Sequence, residues 1–270
     1  MNSNTHLEYF SGNVIYGDNL SQSEIDYWFL QEENGYASLG YVDSETDYYP
    51  YHYMNSVYGW RHIPNFFPRA LGIGSAFAAE FEIVASKIGT IDIIEPGKKF
   101  WRTSAFGKKL NYVMPASTGA INFPDATFDL ITVFGVLHHI PNVSFVISEL
   151  VRVLKPDGHL VVREPIISMG DWRKFRPGLT RNERGIPLHL MKSIITRNNC
   201  QIIVENLIGF SPMQKLLDKL RFKNYWNSKI IVKIDWLFCK VFAWNYKYHR
   251  TKLFDRFAPS TGYWVVSKSK

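Results

Sequence analysis

The amino-acid sequence predicts an α/β fold in which helices cover both faces of a doubly wound, mostly parallel β-sheet. From Phe67 onward, short apolar runs of strand length alternate with stretches whose apolar residues recur at helical spacing. A glycine-rich turn follows the first apolar run, where a strand would lead into a helix. The chain has 270 residues, of which 46% are hydrophobic and 20% charged. This composition is typical of a globular protein and excludes a disordered or collagen-like chain.

Six apolar runs are predicted to be strands, and two stretches between them are predicted to be helices. The strands are RALGIG, TIDIIEP, FDLITVFGV, HLVVREP, QIIVEN and GYWVVSK. The helices are AAEFEIVASKIG and VSFVISELVRVLKPDG, and the second is expected to end at its Pro-Asp-Gly sequence. Strands that alternate with helices of this length pair in parallel, so both faces of the sheet should be covered.

Two regions lie outside this alternation. Residues 1–66 are acidic and aromatic, and we expect them to form an N-terminal cap with a helix that starts near Glu24. Residues 67–270 should form the sheet domain. Within that domain, 163–187 is expected to be a long irregular lid, and 207–262 a helical insertion before the last strand.

Charge is distributed unevenly along the chain, although the net charge is only +7. Residues 1–70 contain nine acidic and two basic residues, whereas 215–256 contain eleven basic and three acidic residues. A basic surface attracts anionic partners. The acidic cap could equally fold against the basic remainder of the chain.

The insertion at 207–262 is predicted to contain two helices, one starting at Ser211 and one over 228–244. The second helix carries lysines beside Trp236 and Trp244 and is apolar on most sides. Such a helix either lies in an anionic membrane interface or is buried, in its own domain or against a second copy in a homodimer. No DNA- or RNA-binding module is recognisable, so nucleic acid is not an expected partner.

The cellular compartment is predicted from cysteine usage and from apolar segments. Cys200 and Cys239 have no Cys or His partners at ligand spacing, which indicates a reducing compartment and no metal site. The first residues lack the features of a signal peptide, and no apolar run is long enough to span a bilayer. We therefore expect a cytoplasmic protein, or one held peripherally at the inner face of the membrane through the insertion.

The sequence ALGIGSAFAAEF is the first candidate for chemistry. Gly72, Ile73 and Gly74 end the first strand, where a side chain would block a nucleotide or sulfonium ligand from the backbone. Glu95 follows Gly72 by 23 positions, at the end of TIDIIEP, where an acid can bind both hydroxyls of an adenosine ribose. The alternative is a tight turn followed by a capping acid.

Four blocks in order carry a family resemblance: ALGIGSA, IDIIEP, INFPDATFDLITVFGVLHHIPN and ELVRVLKPDGHLVV. From Arg69 to Asn206 the chain resembles the class I S-adenosylmethionine-dependent methyltransferases, in the branch with FPDxxFD and LHHI blocks. The resemblance implies a Rossmann-like methyltransferase domain, S-adenosyl-L-methionine as cofactor, and methylation as the activity. It also implies a role for each matching residue. The residues expected to contact the cofactor are Gly72, Ile73 and Gly74 (methionine), Glu95 (ribose), Ser117 and Thr118 (adenine), and Phe134 and Gly135 (beside the methyl group).

Three positions depart from the pattern of this family. Ala70 stands where an acid is usual, Ala76 where a third glycine is usual, and Ser117 where an adenine-binding Asp is common. These departures put the strength of cofactor binding in doubt. They also leave open a catalytically inactive scaffold with a methyltransferase fold.

Two histidines and two acids are candidates for the acceptor side. His138 and His139 follow the FDLITVFGV strand, where a neutral imidazole could take a proton from a hydroxyl acceptor. The alternative is that they pack beneath the cofactor. Glu164 at a strand end and Asp171 in the lid are alternative bases or orienting groups, which would need a raised pKa or a hydrogen-bonding role.

The lid contains arginines that suit capture of an anionic group. Those predicted to bind substrate are Arg173, Arg176, Arg181 and Arg184. In the alternative, Asp171 and Glu183 neutralise them within a surface loop. A cap and lid of this kind are similar to those of bacterial methyltransferases in surface polysaccharide pathways. This resemblance implies O-methylation of an anionic or nucleotide-linked sugar in polysaccharide biosynthesis, with a small-molecule or glycan acceptor. A lipid or quinone methylated at the membrane surface is the alternative acceptor.

Overall fold

The computed structural model describes residues 3–38, 49–64 and 66–269. The strands are β1 (Phe67–Ile73), β2 (Ile88–Ile94), β3 (Ser104–Ala105), β4 (Lys108–Val113), β5 (Phe128–Phe134), β6 (Leu154–Pro165), β7 (Cys200–Phe210) and β8 (Pro259–Lys268). The α-helices are α1 (Ser3–Ser11), α2 (Gln22–Ser38), α3 (His52–Tyr58), α4 (Val143–Val153), α5 (Leu188–Arg197), α6 (Ser211–Lys219) and α7 (Lys229–Val241). The part of the predicted cap at 39–48 lies outside the described residues.

The eight strands form one sheet in the order β3-β4-β2-β1-β5-β6-β8-β7. Strands β4, β2, β1, β5 and β6 pair in parallel, whereas β8 pairs antiparallel with both β6 and β7. The predicted doubly wound, mostly parallel α/β fold is confirmed. Because β7 runs in the same direction as β6, the carboxyl ends of β1, β2, β5, β6 and β7 lie at one edge of the sheet, which we call the carboxyl edge.

Each face of the sheet has its own apolar core, because successive side chains of a strand point to opposite faces. Leu71 and Val133 belong to the core that packs against α4 and α5. Ala70 precedes Leu71, and Leu130 is the partner of Ala70 on β5. Both belong to the core on the other face, which includes residues of α3 and α7. The central strands are therefore buried on both sides, as their continuous apolar runs predict.

The connection between β1 and β2 differs from the prediction. Ala79–Lys87 is a 3₁₀ helix, where the sequence predicted an α-helix. The segment must return the chain along a seven-residue strand and enter β2 directly at Ile88. Nine residues rise about 18 Å as a 3₁₀ helix but only about 14 Å as an α-helix. The more extended form covers more of that distance.

Two further boundaries differ from the prediction. Helix α4 ends at Val153, and the Pro-Asp-Gly sequence lies inside β6, where Asp157 has a positive φ of 61°. The insertion is shorter than predicted, because β7 continues to Phe210 and β8 already begins at Pro259. It therefore spans 211–258.

Candidate functional site

The glycine turn at the end of β1 is constrained by close contacts. Gly74 has a positive φ of 60°, and its N–H donates to the carbonyl of Ile94 at 2.8 Å. A Cβ on Gly74 would lie 2.6 Å from a methyl group of Val136, and a Cβ on Gly72 would lie 2.2 Å from the hydroxyl of Ser75. Both glycines are therefore required for this turn.

Glu95 lies at the end of β2, directly against the turn. Its side chain is nearly buried, and its Oε2 accepts a hydrogen bond from the Ala76 N–H at 3.1 Å. Its Oε1 accepts from the Gly97 N–H at 2.8 Å. These two bonds hold the carboxylate against the turn. The structure thus brings Glu95 and the glycine turn together, as the sequence predicted.

The two residues predicted to contact adenine lie in the loop after β4. Ser117 is half-buried and Thr118 is exposed. The hydroxyl of Thr118 accepts from the Ala120 N–H, and its carbonyl accepts from the Asn142 side chain at 2.8 Å. These bonds fix the shape of the loop, and adenine contact stays a prediction.

Phe134 and Gly135 lie at the carboxyl end of β5, next to the turn in the sheet. Gly135 has a positive φ of 72°, and the nearest atom to a Cβ there would be His138 Cε1 at 3.7 Å. Among the described residues, the space beside Gly135 is therefore open. The ring of Phe134 contacts Trp60 edge-on, and the guanidinium of Arg163 lies over it.

Three side chains with buried polar atoms, those of Trp60, Arg163 and Glu80, were not among the site residues predicted from the sequence. Trp60 Nε1 and Arg163 Nη1 are buried N–H donors without a hydrogen-bond partner among the described residues. Glu80 is buried nearby and accepts a long hydrogen bond from Thr132 at 3.5 Å. Burial raises the pKa of Glu80 to about 7. Nothing in the G-x-G spacing points to these residues, because they come from three separate segments.

Glu164 organises the loop that follows β5. It is fully buried and accepts hydrogen bonds from the N–H groups of Val136 at 2.7 Å and Leu137 at 2.9 Å. Its other oxygen pairs with His138 Nδ1 at 2.8 Å. Burial raises the pKa of Glu164, but the His138 hydrogen bond and the two backbone bonds outweigh it, so the pKa lies below its ordinary value.

The N-terminal segment contacts the same loop. Trp28 donates to the carbonyl of His139 at 2.7 Å, and Glu32 pairs with His139 Nδ1 at 3.0 Å. On the other side of this ring, Glu183 of the lid lies 3.3 Å from His139 Nε2. Burial, followed by the neighbouring His138, lowers the pKa of His139. Residues from the cap, the lid and the β5 loop thus meet at the histidine pair.

The lid arginines are placed differently from the prediction. Arg184 is fully buried and donates to the carbonyls of Tyr16, Leu137, His138, Ile140 and Pro141. Arg176 donates to the carbonyls of Met169, Thr180, Arg181 and Glu183. The N–H groups of these two arginines are used inside the protein, which corrects their predicted role in binding an anionic acceptor. Arg181 is exposed and remains a candidate.

Asp171 and Glu164 also require correction as candidate bases. Asp171 forms a bidentate pair with Arg173 at 2.8 and 2.9 Å, and this pairing lowers the pKa of Asp171 to about 2. Glu164 is sealed from solvent and bonded at both oxygens. Neither carboxylate is placed to take a proton from an acceptor, because one is neutralised and the other is enclosed. The alternative of a self-neutralising lid fits Asp171 and Arg173.

Comparison with known proteins defines the class. A family model described as a methyltransferase domain matches residues 70–162. The S-adenosylmethionine-dependent methyltransferase from Mesorhizobium loti superposes with a TM-score of 0.51 at 14% identity, over 77% of this chain and 94% of that one. The chain therefore carries a methyltransferase domain within the class I fold, as the resemblance implied.

The chain also matches two curated methyltransferases over part of their length. The chain is 27% identical to the ubiquinone biosynthesis O-methyltransferase of Photobacterium profundum over 127 residues, which cover 44% of this chain and 54% of that protein. It is 31% identical to the ubiquinone/menaquinone biosynthesis C-methyltransferase of Shewanella pealeana over 93 residues, 32% of this chain and 37% of that protein. The chain thus matches about half or less of each relative's length.

Proposed function

We propose that this protein transfers a methyl group from S-adenosyl-L-methionine to a quinone or lipid head group at a membrane surface. The observation that carries the methyl-transfer part is the contact between Glu95 and the glycine turn within a methyltransferase domain. The sugar or glycan acceptor has no support among the curated relatives, which are named for ubiquinone biosynthesis.

The residues present fit this cofactor. Gly72 and Gly74 leave the backbone of the turn accessible, and the Glu95 carboxylate beside the turn would accept hydrogen bonds from the ribose hydroxyls. The unpaired N–H groups of Trp60 and Arg163 suit the methionine carboxylate, which is an anion and would satisfy buried donors. When bound, the cofactor supplies an electrophilic methyl group. Ala70 lacks the acid that is usual in this family, but Glu95, Trp60 and Arg163 would still offer polar contacts to the cofactor.

The acceptor's reacting atom belongs beside Gly135, facing the histidine pair. Open space adjoins Gly135, and His138 is the residue nearest to it. Glu164 positions His138 through Nδ1, which leaves Nε2 as the nitrogen available to an acceptor. Glu164 is therefore a positioning residue, and His138 replaces Asp171 as the group that acts on the acceptor.

An exposed apolar surface supports the membrane part of the proposal. Ile230 is 69% exposed, Trp244 72% and Leu253 74%. The insertion that carries them leaves β7 and re-enters β8 at the carboxyl edge, on the side of the sheet where Glu95 and Gly135 lie. Lysines and arginines accompany these side chains, so both apolar insertion and attraction to anionic lipid are available. No helix among the described residues is long and apolar enough to cross a membrane.

Calorimetry tests whether the protein binds the cofactor. The wild type should bind S-adenosyl-L-methionine and its demethylated product, and Glu95→Ala should bind at least tenfold more weakly, because lost charged hydrogen bonds are worth roughly 1.5–3 kcal/mol each. The matched control is Glu33→Ala, at an exposed position on α2, which should bind like the wild type. No binding by the wild type, or equal binding by Glu95→Ala, contradicts the proposal. Binding without methylation of any acceptor pool supports the inactive scaffold.

Vesicle pelleting and label transfer test the acceptor. Wild-type protein should pellet with phosphatidylglycerol-containing vesicles, less so at high salt. Combining Trp244→Ala with Leu253→Ala should weaken binding tenfold or more, because each side chain loses roughly 1.5–3 kcal/mol of apolar burial. Phe145→Ala, at an exposed site on α4, is the control. Label from the cofactor should enter quinone precursors in membrane extracts. Label in nucleotide-linked sugars instead would favour the glycan acceptor.

A further inference from the structure

The histidine pair and two glutamates form a buried cluster behind the β5 loop. A ring nitrogen of His138, a ring nitrogen of His139 and a carboxylate oxygen of Glu183 lie within 4.8 Å of one another. The two imidazole centroids are 4.1 Å apart. The side chains of these three residues and of Glu32 are each about nine-tenths buried. Three chain segments far apart in sequence contribute to the cluster.

Two carboxylate oxygens in this cluster have unmet bonding capacity. Glu32 Oε1 and Glu183 Oε2 are buried and have no hydrogen-bond partner among the described residues. A buried carboxylate without compensation is costly. The guanidiniums of Arg176 and Arg184 act electrostatically on these glutamates, but their hydrogen bonds go to backbone carbonyls. A metal cation would supply the partner that the two carboxylate oxygens lack.

The outer bonds of the histidines match those of metal ligands. His138 bonds Glu164 through Nδ1 at 2.8 Å, and His139 bonds Glu32 through Nδ1 at 3.0 Å. Histidines that bind metals almost always donate their second ring N–H to such a group, which fixes the tautomer and directs the other nitrogen at the metal. Two carboxylates therefore hold two adjacent imidazoles in that state.

We propose that His138, His139 and Glu183 bind a divalent transition-metal ion, for which Zn²⁺ is the best match. Two imidazole nitrogens and one carboxylate oxygen form a typical ligand set for catalytic zinc, which keeps a further position open. The sequence predicted no metal site, because Glu183 lies 44 positions beyond His139 and the three ligands share no short spacing.

The location gives this ion a place beside the acceptor. His138 Cε1 is the nearest atom to the open side of Gly135. With a metal ion bound, the imidazoles would act as ligands and would no longer take the acceptor's proton. The ion would bind an acceptor oxygen and lower its pKa, so that the proton passes to water before the oxygen receives the methyl group and the demethylated cofactor leaves. This catalytic role rests on the proposed function, whereas the metal site itself does not.

Calorimetry with ZnCl₂ on chelator-treated full-length protein tests the site. We expect one equivalent of Zn²⁺ to bind the wild type, and at least tenfold weaker binding by Glu183→Gln and His139→Gln. The matched control is His159→Gln, a histidine of β6 that contacts Phe67 edge-on outside the cluster. It should bind Zn²⁺ like the wild type. No stoichiometric binding by the wild type, or equal affinity in Glu183→Gln, overturns the proposal.

A spectroscopic measurement keeps the test independent of variant folding. Co²⁺ added to the wild type should give visible absorption bands of a four- or five-coordinate nitrogen–oxygen site, and Zn²⁺ should displace them. Only the weak spectrum of six-coordinate aqueous Co²⁺ would overturn the proposal. Cofactor binding is measured on the same preparations. Zn²⁺ binding without cofactor binding would reject the methyltransferase function and retain the metal site, and the reverse result would reject the metal site alone.

Discussion

Replacing Arg184 with methionine should separate a structural lid from a substrate-binding lid. Its guanidinium is fully buried and makes five hydrogen bonds to backbone carbonyls. Four of these carbonyls belong to residues 137–141 of the β5 loop, and the fifth belongs to Tyr16 of the N-terminal segment. The side chain therefore joins the lid, the cap and the loop that carries the histidines.

The magnitude follows from those bonds. At roughly 1.5 kcal/mol for each hydrogen bond to a charged group, five bonds sum to about 7.5 kcal/mol. Part of this is offset because Arg184→Met no longer buries a charge, and because four of the five carbonyls belong to one loop and lose their partners together. We therefore expect the free energy of unfolding to fall by about 3–5 kcal/mol.

Urea denaturation followed by circular dichroism measures this loss, and limited proteolysis should show faster cleavage within residues 3–38. Arg181→Met is the matched control, since Arg181 is an exposed arginine of the same lid. It should change the free energy of unfolding by less than about 0.5 kcal/mol. A loss below about 1 kcal/mol in Arg184→Met, accompanied by a raised acceptor KM, would refute the structural role and restore the substrate-binding interpretation.

Three further predictions concern single residues. Burial raises the pKa of Glu80 from 4.5 to about 7, so the stability from its protonated form is full below pH 4.5 and is lost as the pH rises through 7. Glu80→Gln should remove this loss from a plot of Tm against pH, and a parallel plot would contradict the prediction. The pKa of Glu164 is lowered, so Glu164→Gln should destabilise the protein at pH 7. The difference in Tm from the wild type should shrink below pH 4.5, and a difference that stays constant with pH would contradict this prediction. Gly74→Ala places a Cβ 2.6 Å from Val136 at a positive φ, and should weaken cofactor binding tenfold or more in calorimetry. Gly178→Ala has a similar φ with no atom within 4 Å, and equal binding by both variants would show that the contact is unimportant.

The central strands could be predicted from the sequence because burial on both faces leaves continuous apolar runs, as in FDLITVFGV. Strand β4 could not, since Lys108–Val113 is only partly buried and its sequence KKLNYV is largely polar. The 3₁₀ geometry of Ala79–Lys87 was also hidden, because its buried apolar residues Phe81, Val84 and Ala85 are spaced by three and four positions, which fits an α-helix as well.

The candidate site was predictable where its chemistry is local in sequence. The glycine turn and Glu95 belong to adjacent strands, and strand ends in a parallel sheet meet at one edge. The role of Arg184 was not predictable, because its partner Tyr16 lies 168 positions away. The charge of an arginine suggests a ligand, whereas only the fold shows which carbonyls surround it.

The position of β8 has a consequence for synthesis of the chain. Residues 259–268 form an interior strand of the sheet, with β6 on one side and the edge strand β7 on the other. A ribosome produces β6, β7 and α7 before it produces β8, so both neighbours emerge with facing edges that have no partner. Unpaired edges attract other strands, which makes this the stage most exposed to misassembly. The sheet is complete only after β8 has inserted between β6 and β7, which are both synthesised before it.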